Sequence, residues 1–276
     1  MPETLPTPQA APETPLARYL RETRGAGYAF FLTLPFAVFY ELGLALFHRA
    51  GVRLEVRNGA DAILRALFFP HWLEGRGRPA AVLWGGFGLM ILFGAILLWH
   101  RREKASGWRV RPRPLAAAYG EALGWAVALF AGWLFLLAVG LRELAEPPRQ
   151  AAGMPPLPPG LKLVLSCGAG VYEELLFRLL LVGVLALFLR GLVGMSRPGA
   201  QVVAVAVQAV LFALVHYLGP YEEFGGGAVA YLRFGFRVGA GLFFSGLLWL
   251  RGFGMVVAAH AFYDIIVTGI ETALAA

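Results

Sequence analysis

The sequence predicts an all-α fold, a polytopic transmembrane helical bundle of about seven to eight spanning helices with a C-terminal four-helix core. Three observations carry that expectation. The 276 residues are 58% hydrophobic and 15% charged, with a mean hydropathy of +0.65, where a soluble domain has roughly 45–50% and about 25%. Apolar runs recur near 26–47, 80–99, 116–141, 161–190, 200–218, 227–250 and 253–274, each close to the about 20 residues that carry a helix across hydrocarbon. Lys and Arg gather between those runs, where positive charge fixes membrane orientation.

Taken in order, residues 1–25 form an N-terminal tail, expected to be disordered and cytoplasmic, with five prolines in its first 16 residues and no apolar periodicity. Residues 26–145 hold the N-terminal spans together with a short charged segment, 61–73, that is interfacial, re-entrant or an eighth element. The stretch 146–160, "EPPRQAAGMPPLPPG", cannot be helix interior and marks a linker. Residues 161–276 are the C-terminal core. The basic loop 100–113 and the acidic 221–226 fall on opposite sides of seven alternating spans, which puts the basic side in the cytoplasm. Residues 48–78, with six arginines on the other side, pull against that orientation.

The net charge of +7 is read as membrane orientation, so nucleic acid is excluded as a partner. A single cysteine, Cys167, excludes an internal disulfide framework and any multi-thiolate metal cluster.

A charged side chain near the centre of a span costs roughly 2.5–3.5 kcal/mol on insertion scales, so ionisable residues there point to function. Three C-terminal helices each present such a group at a four-residue spacing: Glu174 with Arg178, Phe212 with His216, and His260 with Asp264. That spacing places each pair on one helix face. Glu173 and Glu174 are adjacent, about 100° apart around an α-helix, and are expected to point apart. Glu174 reaches Arg178 as an ion pair, which leaves Glu173 as the chemical group, with Gly168, Ala169 and Gly170 expected to leave room beside it for a water or a substrate backbone. Glu173 and His216 would activate a water, and His260 would donate to an oxyanion forming on a carbonyl. Asp264 would either orient His260 or, protonated, act as a second donor. The set suffices for peptide hydrolysis without a metal or cofactor. Glu41 and Glu121 lack an i,i+4 partner, and His48, His71 and His100 sit at membrane edges, so structural roles are assigned to them. Arg233 and Arg237 either snorkel to the interface or meet a substrate carboxylate.

In the order "EELLFR" (173–178), "FALVH" (212–216) and "HAFYD" (260–264), these segments have the forms E-E-x-x-x-R, F-x-x-x-H and H-x-x-x-[N/D]. Together they resemble the CPBP family of intramembrane proteases, which includes the CAAX prenyl endopeptidase of the Ras-converting type. The resemblance implies a glutamate-dependent, metal-independent endopeptidase of the cell membrane, acting on a membrane-associated protein or peptide, with or without a prenylated CAAX-like tail, with membrane lipid around it. It implies that Glu173 and His216 activate water, that His260 and Asp264 form the oxyanion site, and that Glu174, Arg178 and Phe212 support them. One position departs: the eukaryotic CAAX-cleaving branch has Asn where Asp264 stands, and Asn is always a donor whereas ionised Asp only accepts.

Two other classes compete. A zinc metalloprotease would need ligands from the same Glu, His and Asp residues, but no H-E-x-x-H occurs and no histidine pair is spaced i,i+4. A non-proteolytic scaffold or immunity-type binding protein would keep the polar cluster for helix association. Ser245 and Cys167 lie in apolar runs without a nucleophile motif.

Overall fold

A computed structural model of the chain describes residues 13–52, 56–68, 94, 110–140, 157–217 and 228–274. Its elements are helices: α1 (Pro15–Thr23), α2 (Ala26–Arg49), α3 (Gly59–Phe68), α4 (Pro112–Gly140), α5 (Pro159–Gly168), a π-helical segment (Ala169–Leu181), α6 (Val182–Gly191), α7 (Arg197–Val215), α8 (Ala228–Arg251) and α9 (Phe253–Leu274). Local signals set several starts. Thr14 caps α1 by accepting from the Ala17 amide at 3.2 Å, and Ser196 caps α7 by accepting from Gly199 at 3.3 Å. Each of those helices has a proline in its first two positions, where the missing N–H is harmless.

Four described helices are long and apolar enough to cross a membrane: α2, α4, α7 and α9. The expected seven to eight crossings are not reached among the described residues, for identifiable reasons. The run 80–99 lies outside them. The run 161–190 is divided into segments of 10, 13 and 10 residues, although the helical backbone continues through Gly168 and Val182. Helix α8 has 24 residues, but Arg233 and Arg237 lower its hydropathy. The segment expected over 61–73 is described as far as Phe68, where α3 packs against the π-helical segment. Ten residues rise about 15 Å, too little to cross hydrocarbon, and Asp61 in it is fully buried. Residues 15–23, expected within the disordered tail, form α1. Most of the linker 146–160 and the loops 101–109 and 218–227 lie outside the described residues.

Helix α9 is central. Every residue from Phe253 to Ala261 is buried, and the helix packs against α2, α4, α5, the π-helical segment and α8. Small residues permit that approach, as expected where packing rather than hydrophobicity joins membrane helices. A Cβ on Gly254 would lie 2.5 Å from the Ala29 backbone, and one on Gly170 would lie 2.7 Å from Ala261. A Cβ on Gly168 would meet the Tyr40 ring at 2.3 Å. This corrects the sequence reading of these glycines: the room beside Glu173 is filled by α2 and α9. Helices α8 and α9 are joined through Gly252 alone, whose φ of 88° only glycine adopts without strain.

At the α8–α9 joint, Arg251 ties three helices together. Its Nε and Nη2 each donate to Glu121 at 2.6 Å, Nη2 also to Thr23 Oγ1 at 2.9 Å, and Nη1 to the Leu20 carbonyl at 3.2 Å. The Tyr19 hydroxyl donates to Glu121 at 2.7 Å and the Trp125 indole at 3.2 Å. Burial, reinforced by the Glu121 carboxylate, pushes the Tyr19 phenol up to about 12.

Candidate active site

The π-helical segment carries Glu173, Glu174 and Arg178, all buried. Its i→i+5 pattern winds more residues into each turn than an α-helix does, so consecutive side chains leave it at a smaller angle. The expectation that Glu173 and Glu174 point apart assumed α-geometry. Both carboxylates instead meet one imidazole: His260 Nδ1 lies 2.6 Å from Glu174 Oε1, and its Nε2 lies 3.9 Å from Glu173 Oε2. Asp264 Oδ2 is 3.6 Å from the same Nε2. Three carboxylates therefore surround His260, whose ring stacks on Phe244 at 4.6 Å and 17°.

Glu174 does more than pair with Arg178. It accepts a hydrogen bond from His260 Nδ1, while its other oxygen lies 3.2 Å from Arg178 Nε. That second contact is ionic, because the N–H is not aligned to donate. The Arg178 guanidinium is held against aromatic faces, 4.2 Å from the Phe212 centroid and 5.6 Å from that of Phe244. Phe212 also touches the rings of His216 and His260, at centroid distances of 5.0 and 6.2 Å. Phe212 thus touches the arginine and both histidines, and Phe244 touches the arginine and His260.

His216 caps the C-terminus of α7, and its Nδ1 lies 2.7 Å from the Phe212 carbonyl. A carbonyl only accepts, so Nδ1 carries the hydrogen, and in the neutral ring Nε2 keeps its lone pair. Glu173, Arg237 and His260 all lie within electrostatic reach of that ring. Arg237 also sits 5.4 Å from the Tyr217 ring centroid, beside the cluster.

Residues 155–266 match the family model described as type II CAAX prenyl endopeptidase Rce1-like. The matched residues are similar to that family of CAAX-type proteases. All three motifs of the CPBP resemblance fall inside the matched residues, whereas α1 to α4 precede them. No curated protein and no solved structure matches the chain.

The CPBP-type segment does not supply every group at the site. Asn58, at the start of α3, donates from Nδ2 to Glu173 Oε1 at 2.8 Å. Glu41, read from sequence as a lone structural glutamate, accepts from Tyr172 and pairs with Arg65 at 3.1 Å. Neither contact leaves a local pattern, since the partners are 115 and 131 residues apart. The one weak signal was Asn58 standing directly before Gly59 and a short amphipathic helix, a capping pattern. Among the described residues, no three His, Cys, Asp or Glu side chains are grouped to hold a metal ion. Ser245 donates to the Gly241 carbonyl at 2.8 Å and lies 3.2 Å from Gln208 Oε1, as a helix-packing hydroxyl does, and Cys167 is buried.

Proposed function

We propose that the protein is an intramembrane, glutamate-dependent endopeptidase that hydrolyses a peptide bond of a membrane-associated, CAAX-like protein or peptide. The observation that carries this reading is the convergence of Glu173, Glu174 and Asp264 on His260, with His216 held behind Phe212, in a bundle of apolar helices. Glu173 and the Nε2 lone pair of His216 would take a proton from water as its oxygen attacks the scissile carbonyl carbon. The carbonyl electrons move to oxygen, and donors facing it stabilise the oxyanion. Collapse of the tetrahedral intermediate breaks the C–N bond, and the proton held by the base passes to the leaving amine.

His260 is the proposed oxyanion donor, for which it must carry a proton on Nε2 as well as Nδ1. Glu174 already orients it through Nδ1, which frees Asp264 from that task. Asp264, with a side chain 28% exposed, borders the same nitrogen, and protonated it would be the second donor. Seven to eight crossings of the cell membrane belong to the same proposal. Labelling of single cysteines introduced within 100–113 and 221–226 from either side would test that topology.

The deciding experiment is cleavage of quenched-fluorescent peptides, with and without a farnesylated C-a-a-X tail, by detergent-solubilised protein in the presence of a chelator. Cleavage that resists the chelator and is lost in Glu173→Gln is expected. Turnover abolished by the chelator would favour a zinc enzyme. A Glu173→Gln variant as active as wild type would overturn the glutamate mechanism and favour the scaffold reading.

A further inference from the structure

The terminal torsion of a glutamate is broad, so a carboxylate that must present one oxygen to a reacting water needs to be held from outside. Asn58 supplies such a hold. Its Oδ1 accepts from the backbone amides of Ala60 at 2.9 Å and Asp61 at 3.4 Å, capping α3. With the oxygen occupied by N–H donors, the amide has one consistent orientation, and Nδ2 is the atom that faces Glu173. Oε1 of Glu173 is engaged there, and Oε2 is turned toward His260.

The segment that presents Asn58 is braced in turn. The Tyr40 hydroxyl accepts from the Asn58 backbone amide at 3.1 Å and donates to Asp61 Oδ2 at 2.8 Å. Asp61 Oδ1 accepts from Arg65 Nε at 2.5 Å, and Arg65 Nη2 donates to Glu41 at 3.1 Å. Glu41 accepts from the hydroxyl of Tyr172, the residue next to Glu173 in the chain. The chain of contacts thus leaves α2 and α3 at two points and grips two consecutive residues of the π-helical segment. Buried charges are costly unless paired, and a set this complete fixes geometry as well as fold.

We propose that Asn58 is a positioning residue for Glu173, and that the α2–α3 pair, which precedes the CPBP-type segment, sets the orientation of its carboxylate. The inference rests on the role proposed above for Glu173.

Asn58→Ser keeps a good helix cap and loses the reaching amide donor; Asn58→Asp keeps the cap and puts an acceptor where the donor was. Both are to be compared with wild type and Glu173→Gln in the farnesylated-peptide assay, with thermal unfolding followed in parallel. The expected result is a kcat lowered roughly 10- to 100-fold in Asn58→Ser, more in Asn58→Asp, with KM and melting temperature near wild type. Asn58→Gln, which returns the amide donor on a longer arm, should recover part of kcat while losing stability. If Glu173→Gln is inactive but both capping variants turn over like wild type, Asn58 is a helix cap only and this inference falls alone. A fall in kcat only in step with a fall in melting temperature also overturns it. An inactive wild type, or an active Glu173→Gln, overturns the reading beneath it.

Discussion

Two buried arginines, one at each of two polar clusters, are held in different ways. Arg251 makes four hydrogen bonds to Glu121, Thr23 and Leu20, and the carboxylate it grips is also bonded to Tyr19 and Trp125. Arg178 meets Glu174 without an aligned hydrogen bond and lies otherwise against the rings of Phe212 and Phe244. The first arrangement is closed on itself and holds α1, α4 and α8 together. The second leaves its carboxylate shared with His260. The difference teaches what to look for in a buried pair: Arg251 is saturated by aligned hydrogen bonds, whereas Arg178 has none and its carboxylate is shared with a histidine of the candidate site.

The sharpest way to break this comparison is to exchange carboxylate for amide on each side. Glu173→Gln should lower turnover by about 10²–10⁴-fold with the fold retained, measured by peptide cleavage and size-exclusion profile. Glu121→Gln should leave kcat unchanged. Next in size, Arg178→Ala removes the cation beside buried Glu174, which keeps only its contact with His260, and should destabilise the protein by about 3–5 kcal/mol, read from denaturant unfolding in detergent. An Arg178→Ala protein as stable as wild type would show that the aromatic faces, not the charge, hold that region. Arg251→Ala should cost about 1–3 kcal/mol without changing kcat per folded molecule; a selective loss of kcat would erase the distinction between the clusters. Smallest is a pH effect. Because the Tyr19 phenol is raised to about 12 by burial and Glu121, its contribution is complete below its ordinary value near 10. It fades as pH rises from there toward about 12. Melting temperature followed over that range should fall in wild type more than in Tyr19→Phe.

Much of the architecture was legible because apolar runs and charge placement are local signals. The six runs that fall within the described residues coincide with helical stretches, and the three motifs named the residues that meet around His260 and Phe212. What escaped were features without a local signature. Nothing in "AGVYEELLFRLLL" distinguishes a π-helix from an α-helix by apolar pattern, so the angle between Glu173 and Glu174 was misjudged. Gly168 and Gly170 pack against Tyr40 and α9, and a missing side chain looks the same in a sequence whether the gap is filled by substrate or by a neighbouring helix. Asn58 and Glu41 reach their partners across more than a hundred residues, and spacing along the chain carries no trace of such contacts.

The single-residue joint at Gly252 bears on how such a chain can change over generations. His260 follows that joint by two turns of helix, and Arg251 immediately precedes it, anchored to Glu121. One residue inserted or deleted between them would rotate the imidazole about 100° around the α9 axis, away from both glutamates. The geometry therefore requires a fixed count of residues from Arg251 to His260, and a change of length at this joint is expected to part the imidazole from both glutamates where a change of side chain would not.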